Sequence, residues 1–158
     1  MVKYIELQKA EIKKEPNLIW NSFIQLITES KTEDMNENQS IAQFAWLYDS
    51  EVQNGGHLQY FENQYLLFED KLTAVIEKTI EGLKTLGATK YTEILSQARD
   101  KYFSRPRIHP STTEEFCDLE LENEFVELDN QYYDCSPGMN YYLKTFLESH
   151  MEDFIKFV

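Results

Sequence analysis

Glycine and proline are scarce, 5 and 4 residues of 158, and β-branched alternation is almost absent. That excludes the turn-punctuated, period-two patterning of an all-β chain and leaves helical periods to be found. The two cysteines, Cys117 and Cys135, are too few for a disulfide framework or a zinc ribbon, and read as two reduced, partly buried thiols. Positive charge is also short, with 15 Lys and Arg against 28 Asp and Glu and a net charge of −13. Binding nucleic acid or an anionic membrane needs clustered cations to replace counterions, so neither is expected as a direct partner. No apolar run approaches the roughly 20 residues of a membrane span, and the first residues lack the apolar stretch of a signal peptide, so the expected compartment is the cytoplasm.

What the chain does have is apolar area. A hydrophobic content of 42% and an aromatic content of 14% are too high for a disordered acidic tail. A chain of this size buries roughly 70% of the surface that it exposes unfolded, so residues 1–158 are expected to form one acidic helical domain without staples or metals.

The helical readings rest on spacing. Pro16 opens a first helix over 16–29, carried by Leu18, Ile19, Phe23, Leu26 and Ile27. Ser40 with Gln43 has capping-box spacing for a second, lined by Ile41, Phe44, Ala45, Tyr48 and Val52 up to Asn54-Gly55-Gly56, where glycine relieves a left-handed helix end. A short helical segment over 57–63 comes next, and then a strongly periodic helix from Leu72 to Leu86, stopped at Gly87. Thr89 caps the next, which runs to the breaker Arg105-Pro106-Arg107. Ser111 and Thr112 each precede a Glu by three, a break is expected near 121–123, and Phe125, Leu128 and Tyr132 define a further face. Ser136-Pro137 is read as a cap and first helical residue of a C-terminal helix that carries Met139, Leu143, Phe146, Leu147, His150, Phe154 and Phe157. The fold class is therefore all-α, a compact irregular bundle of six or seven helices.

Chemistry leaves few marks. There is no phosphate-binding loop, no His-Glu-x-x-His pair and no local nucleophile with a base, and with 28 acids paired carboxylates arise at any spacing by chance. No catalytic residue, metal ligand or cofactor is assigned. His57 or His150 with nearby carboxylates such as Asp153 is the weak metal-binding or enzymatic alternative.

Charge distribution says more. Residues 32–70 and 108–143 hold 17 of the 28 acids and no Lys or Arg. Such segregation predicts a concentrated negative surface that would attract a basic protein. Acids four apart on a helix are separated by roughly 6 Å of rise, the same order as the spacing of successive phosphates on a DNA strand. The candidate partner-binding residues are Glu114, Glu115, Asp118, Glu120, Glu122, Glu124, Glu127 and Asp129, with Glu33, Asp34 and Glu37 as a secondary contributor. The competing explanation is a solvated acidic face that serves only solubility.

The segment Glu51-Val52-Gln53-Asn54-Gly55-Gly56-His57-Leu58-Gln59-Tyr60-Phe61-Glu62-Asn63 resembles the signature of a bacterial family of acidic helical domains whose characterised representative is a DNA mimic. The family pattern is a helix ending in Glu-Val-x-Asn-Gly-Gly, one or two small apolar or aromatic residues, then Gln-Phe/Tyr-Phe-x-Asn. The resemblance implies an all-helical domain, commonly a homodimer, that occupies the DNA-binding surface of a transcription factor and regulates transcription by competing with its operator. His57 departs from the pattern, which has an apolar or aromatic residue there. Physically the motif reads as fold-forming: Gly55 and Gly56 permit the turn, Tyr60 and Phe61 anchor the core, and the amides of Gln59 and Asn63, beside Asn54, suit backbone groups freed at helix ends. The leading expectation is thus a non-enzymatic binder of a basic, DNA-binding protein. The alternative is an immunity or inhibitor protein that neutralises a toxin such as a nuclease.

Overall fold

A computed structural model describes all residues, 1–158. Its elements in chain order are β1 (Ile5–Leu7), α1 (Lys9–Lys14), α2 (Leu18–Glu29), α3 (Glu37–Phe68), α4 (Leu72–Thr85), α5 (Thr89–Phe103), α6 (Thr113–Glu120), α7 (Val126–Tyr133), α8 (Met139–Ser149) and β2 (Ile155–Phe157). The seven helices α2 to α8 make the expected bundle, and the six-residue α1 precedes them. No helix is long and apolar enough to cross a membrane.

The helix α3 is the axis of the fold and packs against α2, α4, α7 and α8. Its apolar residues Ala42, Ala45, Tyr48, Val52, Tyr60 and Phe61 belong to one continuous cluster of 30 buried residues. Because α3 meets neighbours on several sides, no single apolar stripe runs its length; α4, covered on one side only, has the clean stripe Leu72, Val75, Ile76, Thr79, Ile80 and Leu83 that its sequence shows.

Several boundaries differ from the sequence reading. The capping box of α3 is Asn36 with Gln39, one turn before Ser40 with Gln43. Asn36 wins because it also donates to the Asp153 carbonyl at 2.9 Å, while Gln43 Nε2 donates to the carbonyls of Ile27 and Ser30 and so ties α3 to the end of α2. The segment 57–63 is the start of a second straight portion of α3 that continues to Phe68. The N-cap of α5 is Ala88, one residue before Thr89. Ser136-Pro137 is a cis peptide, and α8 begins later, with Gly138 extended and its carbonyl accepting from Tyr141 N at 3.1 Å.

The C-terminal helix does not reach Phe157. It stops at Ser149, a single 3-10 turn spans Met151–Asp153, and β2 then pairs in parallel with β1, Ile5 opposite Ile155 and Leu7 opposite Phe157. Three-residue strands carry too little alternation to be read, and Phe154 satisfies its helical-looking spacing anyway by packing edge-on against Phe23 at 5.0 Å. The expected break does occur: α6 ends at Glu120, and Asn123 sits at φ 53 before α7.

Candidate functional site

Everything at the acidic end of the molecule is positioned by the bend in α3. Gly55 (φ −156, ψ 16) and Gly56 (φ 79, ψ −178) leave the helical region, and helix resumes after them. The second conformation is open to glycine almost alone. The Glu51 carboxylate clamps the bend from the first portion, accepting from Gln59 Nε2 at 3.0 Å and Asn63 Nδ2 at 2.8 Å in the second. The two motif amides therefore serve a side-chain carboxylate rather than freed backbone groups, because Glu51 lies within reach of both once the helix has turned. Tyr60 and Phe61 are buried as expected, and Asn54 is exposed.

The bend delivers His57 into the core, fully buried among Phe61, Phe125 and Tyr132. Its Nδ1 lies 2.6 Å from Asp129 Oδ1, which also accepts from the His57 backbone N–H at 2.9 Å, and its Nε2 lies 2.7 Å from the Tyr48 hydroxyl. With Nδ1–H donating to the carboxylate, Nε2 accepts from the Tyr48 hydroxyl. Burial, followed by nearby acidic groups, pushes the Tyr48 phenol well up, so it stays a donor. Two further bonds fix α7 to α3: Tyr132 donates to Asp49, and Tyr133 donates to the Val52 carbonyl at 2.8 Å.

The connection from α5 to α6 is equally pinned. Arg107 Nη2 donates to Glu124 Oε1 at 2.6 Å, Arg105 to Glu124 Oε2 at 3.1 Å, and the Arg107 guanidinium lies 4.7 Å from the centre of the Tyr102 ring. Hydrogen bonding from Arg107 holds the Glu124 carboxyl below its ordinary range. His109 stacks on Tyr65 at 3.4 Å and reaches the buried Glu62 at 2.8 Å, which also accepts from Tyr102 at 3.1 Å. Thr112 caps α6 by accepting from Glu115 N at 3.1 Å, and the Glu115 carboxylate takes the Ser111 N–H and hydroxyl.

These contacts sort the sequence-predicted acids. Glu114, Asp118 and Glu127 are exposed and pair with no Lys or Arg. Glu115 is held by Ser111, Glu122 lies 3.6 Å from Arg105, Glu124 is taken by both arginines, and Asp129 by His57. Glu120 is half-buried, with Oε1 sealed from solvent and lacking any donor. Glu33, Asp34 and Glu37 stand at the other end of the first portion of α3, with Asp34 accepting from the N-terminal ammonium at 3.2 Å. At about 1.5 Å per residue, residues 37–54 put about 27 Å between that group and the α6–α7 acids. Glu33, Asp34 and Glu37 therefore stand apart from the α6–α7 acids, while the two acid-only stretches themselves meet at Asp49–Tyr132 and Glu62–His109.

Two cavities adjoin the bend. One of about 260 Å³ lies between Gly55, Gly56 and the α6–α7 turn, bordered by Glu120, Asp129, Phe125 and Tyr133. The other is an open polar groove of about 710 Å³ beside Trp46, with Glu51, Asn54, Gln59 and Asn63. His150 and Asp153, far from both in sequence, are engaged separately: His150 Nδ1 lies 3.0 Å from the Phe146 carbonyl, and Asp153 accepts from Asn38 at 2.7 Å.

Glu120 gives a pH test. Desolvation first, and Asp129 second, raise its carboxyl above the ordinary value of 4.5. A folded-state value above the unfolded one contributes stability that is complete below the unfolded value and lost as pH rises through the folded one. Glu120→Gln is therefore expected to raise the Tm by a few degrees at pH 7 and to lose that advantage near pH 4, as thermal unfolding at the two pH values would read. A variant less stable than the parent at pH 7 contradicts this.

The bent central helix, its carboxylate clamp and the outward acids define an acidic, mostly helical protein built around a glycine-pair motif. Residues 33–150 match the DMP19-like protein family, and the chain belongs to that family. The match spans the motif and both acidic stretches. Neither the curated proteins nor the solved structures contain a match to it.

Proposed function

We propose that this protein is a non-enzymatic DNA mimic that occupies the nucleic-acid-binding surface of a basic partner, a transcription factor or other DNA-binding protein, and so competes with DNA. The observation that carries the reading is the exposed, unpaired set Glu114, Asp118 and Glu127 on α6 and α7, within residues 108–143 that hold no Lys or Arg. A solvated face would need no fixed geometry, whereas α7 is anchored by the Asp129–His57 and Tyr133–Val52 contacts and the turn that joins it to α6 by Glu124–Arg107. Rigid charge presents a pattern without an ordering cost on binding. Family membership, with the DNA mimicry that the motif's resemblance implies, supports the same reading.

Complementary fields would accelerate association, and salt would weaken it. The test is capture on the immobilised protein at low ionic strength, followed by elution with duplex DNA. The expected result is retention of a DNA-binding protein that DNA releases, with retention reduced about tenfold by combined Glu114→Gln, Asp118→Asn and Glu127→Gln and less by the same changes at Glu33, Asp34 and Glu37. No retained basic protein, or one indifferent to DNA, defeats the reading. A retained nuclease whose activity is blocked assigns the chain to the inhibitor class instead.

A further inference from the structure

We infer that the cavity between the Gly55-Gly56 bend and the α6–α7 turn receives one guanidinium group, an arginine side chain of the basic partner. The inference rests on the DNA-mimic reading for its partner and on the cavity's own chemistry for its ligand.

Size comes first. About 260 Å³ falls below the roughly 300–1,000 Å³ of sites for cofactors and drug-sized molecules, and suits a single side chain. The acceptors are also incompletely used. Asp129 spends Oδ1 on the ring and backbone of His57; Oδ2 lies over Gly56, where a built Cβ would come within 2.5 Å of it, and accepts no hydrogen bond from the protein. Glu120, also on the lining, accepts no hydrogen bond; its Oε1 is sealed from solvent, so Oε2 is the oxygen that a ligand in the cavity can reach. A buried acceptor without a donor is costly, and one beside a second carboxylate more so.

The charged groups facing this space are Glu120, Asp129 and Glu124. Of the donors near them, His57 is committed to Asp129, and Arg105 and Arg107 to Glu124, while Lys101 lies over the Phe125 ring at 5.9 Å and forms no ion pair. Nothing in the chain answers Glu120. An arriving cation would, and it would also relieve the burial and repulsion that raise the Glu120 carboxyl.

The walls favour guanidinium over ammonium. Phe125 and Tyr133 supply ring surface, and Leu58 and Leu119 supply aliphatic surface for the methylene stem. Guanidinium is the more weakly hydrated cation, stacks on aromatic faces and presents several donors in one plane to two carboxylates. The chain already uses this mode on the neighbouring side, where Arg107 pairs with Glu124 and its guanidinium lies 5.7 Å from the centre of the same Phe125 ring. The cavity also sits between the helices bearing Asp118 and Glu127, so an arginine drawn to the outer acids arrives at its mouth.

The experiment is an ¹⁵N NMR titration of the whole chain with Nα-acetyl-arginine amide at low salt and pH 7. Saturable shifts confined to the amides of Gly55, Gly56, Glu120, Asn123 and Asn130 are expected. Glu120→Gln should weaken them about tenfold while keeping the parent's helical circular dichroism, and the Glu114, Asp118 and Glu127 triple variant should retain them. Non-saturable shifts spread over the exposed carboxylates overturn the site. An equal response to Nα-acetyl-lysine amide overturns its guanidinium selectivity. The parent titration alone decides occupancy should the Gln variant fold poorly. If DNA-binding proteins are captured equally by the parent and Glu120→Gln, the cavity is not their anchor and the mimicry reading stands; if arginine amide saturates the cavity but no basic protein is captured, mimicry falls and the site stands.

Discussion

Replacing Gly56 with alanine should destabilise the protein by about 3 kcal/mol, more than the same change at Gly55 or Gly87. The backbone there is at φ 79, ψ −178, which costs an L-residue about 1–3 kcal/mol, and a Cβ would meet Asp129 Oδ2 at 2.5 Å and Cγ at 3.0 Å. Asp129 cannot retreat freely, because its other oxygen holds the ring and backbone of His57. Two controls separate the terms. Gly87 also has positive φ, 73, but a Cβ there meets nothing within 4 Å, so Gly87→Ala should lose only about 1 kcal/mol for the left-handed backbone. Gly55 has an extended φ that any residue adopts, and its Cβ meets the amide of Gln59, which can swing away at the loss of its bond to Glu51, and Gln59 Cβ at 3.1 Å, which must give by a few tenths of an ångström, about 1–2 kcal/mol in all. Urea unfolding of the three variants gives the order. Gly56→Ala matching Gly87→Ala would show that Asp129 yields easily and that the close approach holds nothing in place.

The helices that bury one face were legible because a single face leaves a single period. Leu72 to Leu83 is the clearest case, and the stops at Gly87 and Pro106 lie where conformational rules put them. The bend at Gly55-Gly56 was legible as a turn. Helix beyond it was read over 57–63; that it continues to Phe68 as part of the same element was not legible, since a glycine pair marks a departure from helix and leaves the direction of the chain beyond it open. Capping boxes illustrate a different gap. Asn36/Gln39 and Ser40/Gln43 have equal local spacing, and the choice is made by the Asp153 carbonyl, 117 residues from Asn36. Parallel pairing of β1 with β2 joins the two ends of the chain and leaves no local trace.

At the acidic surface, composition located the charge and could not tell free carboxylates from committed ones. Glu114, Asp118 and Glu127 on one hand, and Glu115, Glu124 and Asp129 on the other, are alike in sequence. Their difference is made by Ser111, by Arg105 and Arg107 just before the acid-only stretch, and by a histidine 72 residues away from Asp129. Glu115 caps the start of α6, Glu124 and Asp129 tie the α6–α7 turn and α7 to the rest of the chain, and Glu114, Asp118 and Glu127 are left exposed. An evenly solvated surface has no use for that division, whereas recognition of a cation array at fixed spacing depends on it. His57 was visible only as a departure from the motif's apolar or aromatic position, and its environment explains both halves of that description: it fills an aromatic-lined space and adds two polar contacts that phenylalanine cannot make.

That reasoning sets the second large effect. His57→Phe keeps the ring volume among Phe61, Phe125 and Tyr132 but leaves the buried Tyr48 hydroxyl without a partner and strips Asp129 of its ring donor, an expected loss of about 3 kcal/mol. Asp129 keeps the backbone N–H of residue 57 and is partly exposed, its side chain at 20%, so much of the loss belongs to the orphaned phenol. Tyr48→Phe alone should cost about 1–2 kcal/mol, whereas the same change made on top of His57→Phe should restore about 1–2 kcal/mol by removing the orphan. The resulting coupling of about 2–4 kcal/mol is measurable as a double-mutant cycle by denaturant unfolding. Simple additivity would mean that Tyr48 and His57 are held by their neighbours rather than by one another. In that event α7 would keep its place without them, and amide exchange across Val126–Tyr133 would be unchanged in His57→Phe; with the coupling present, that exchange should quicken, because Asp129 is the residue through which the histidine holds the helix.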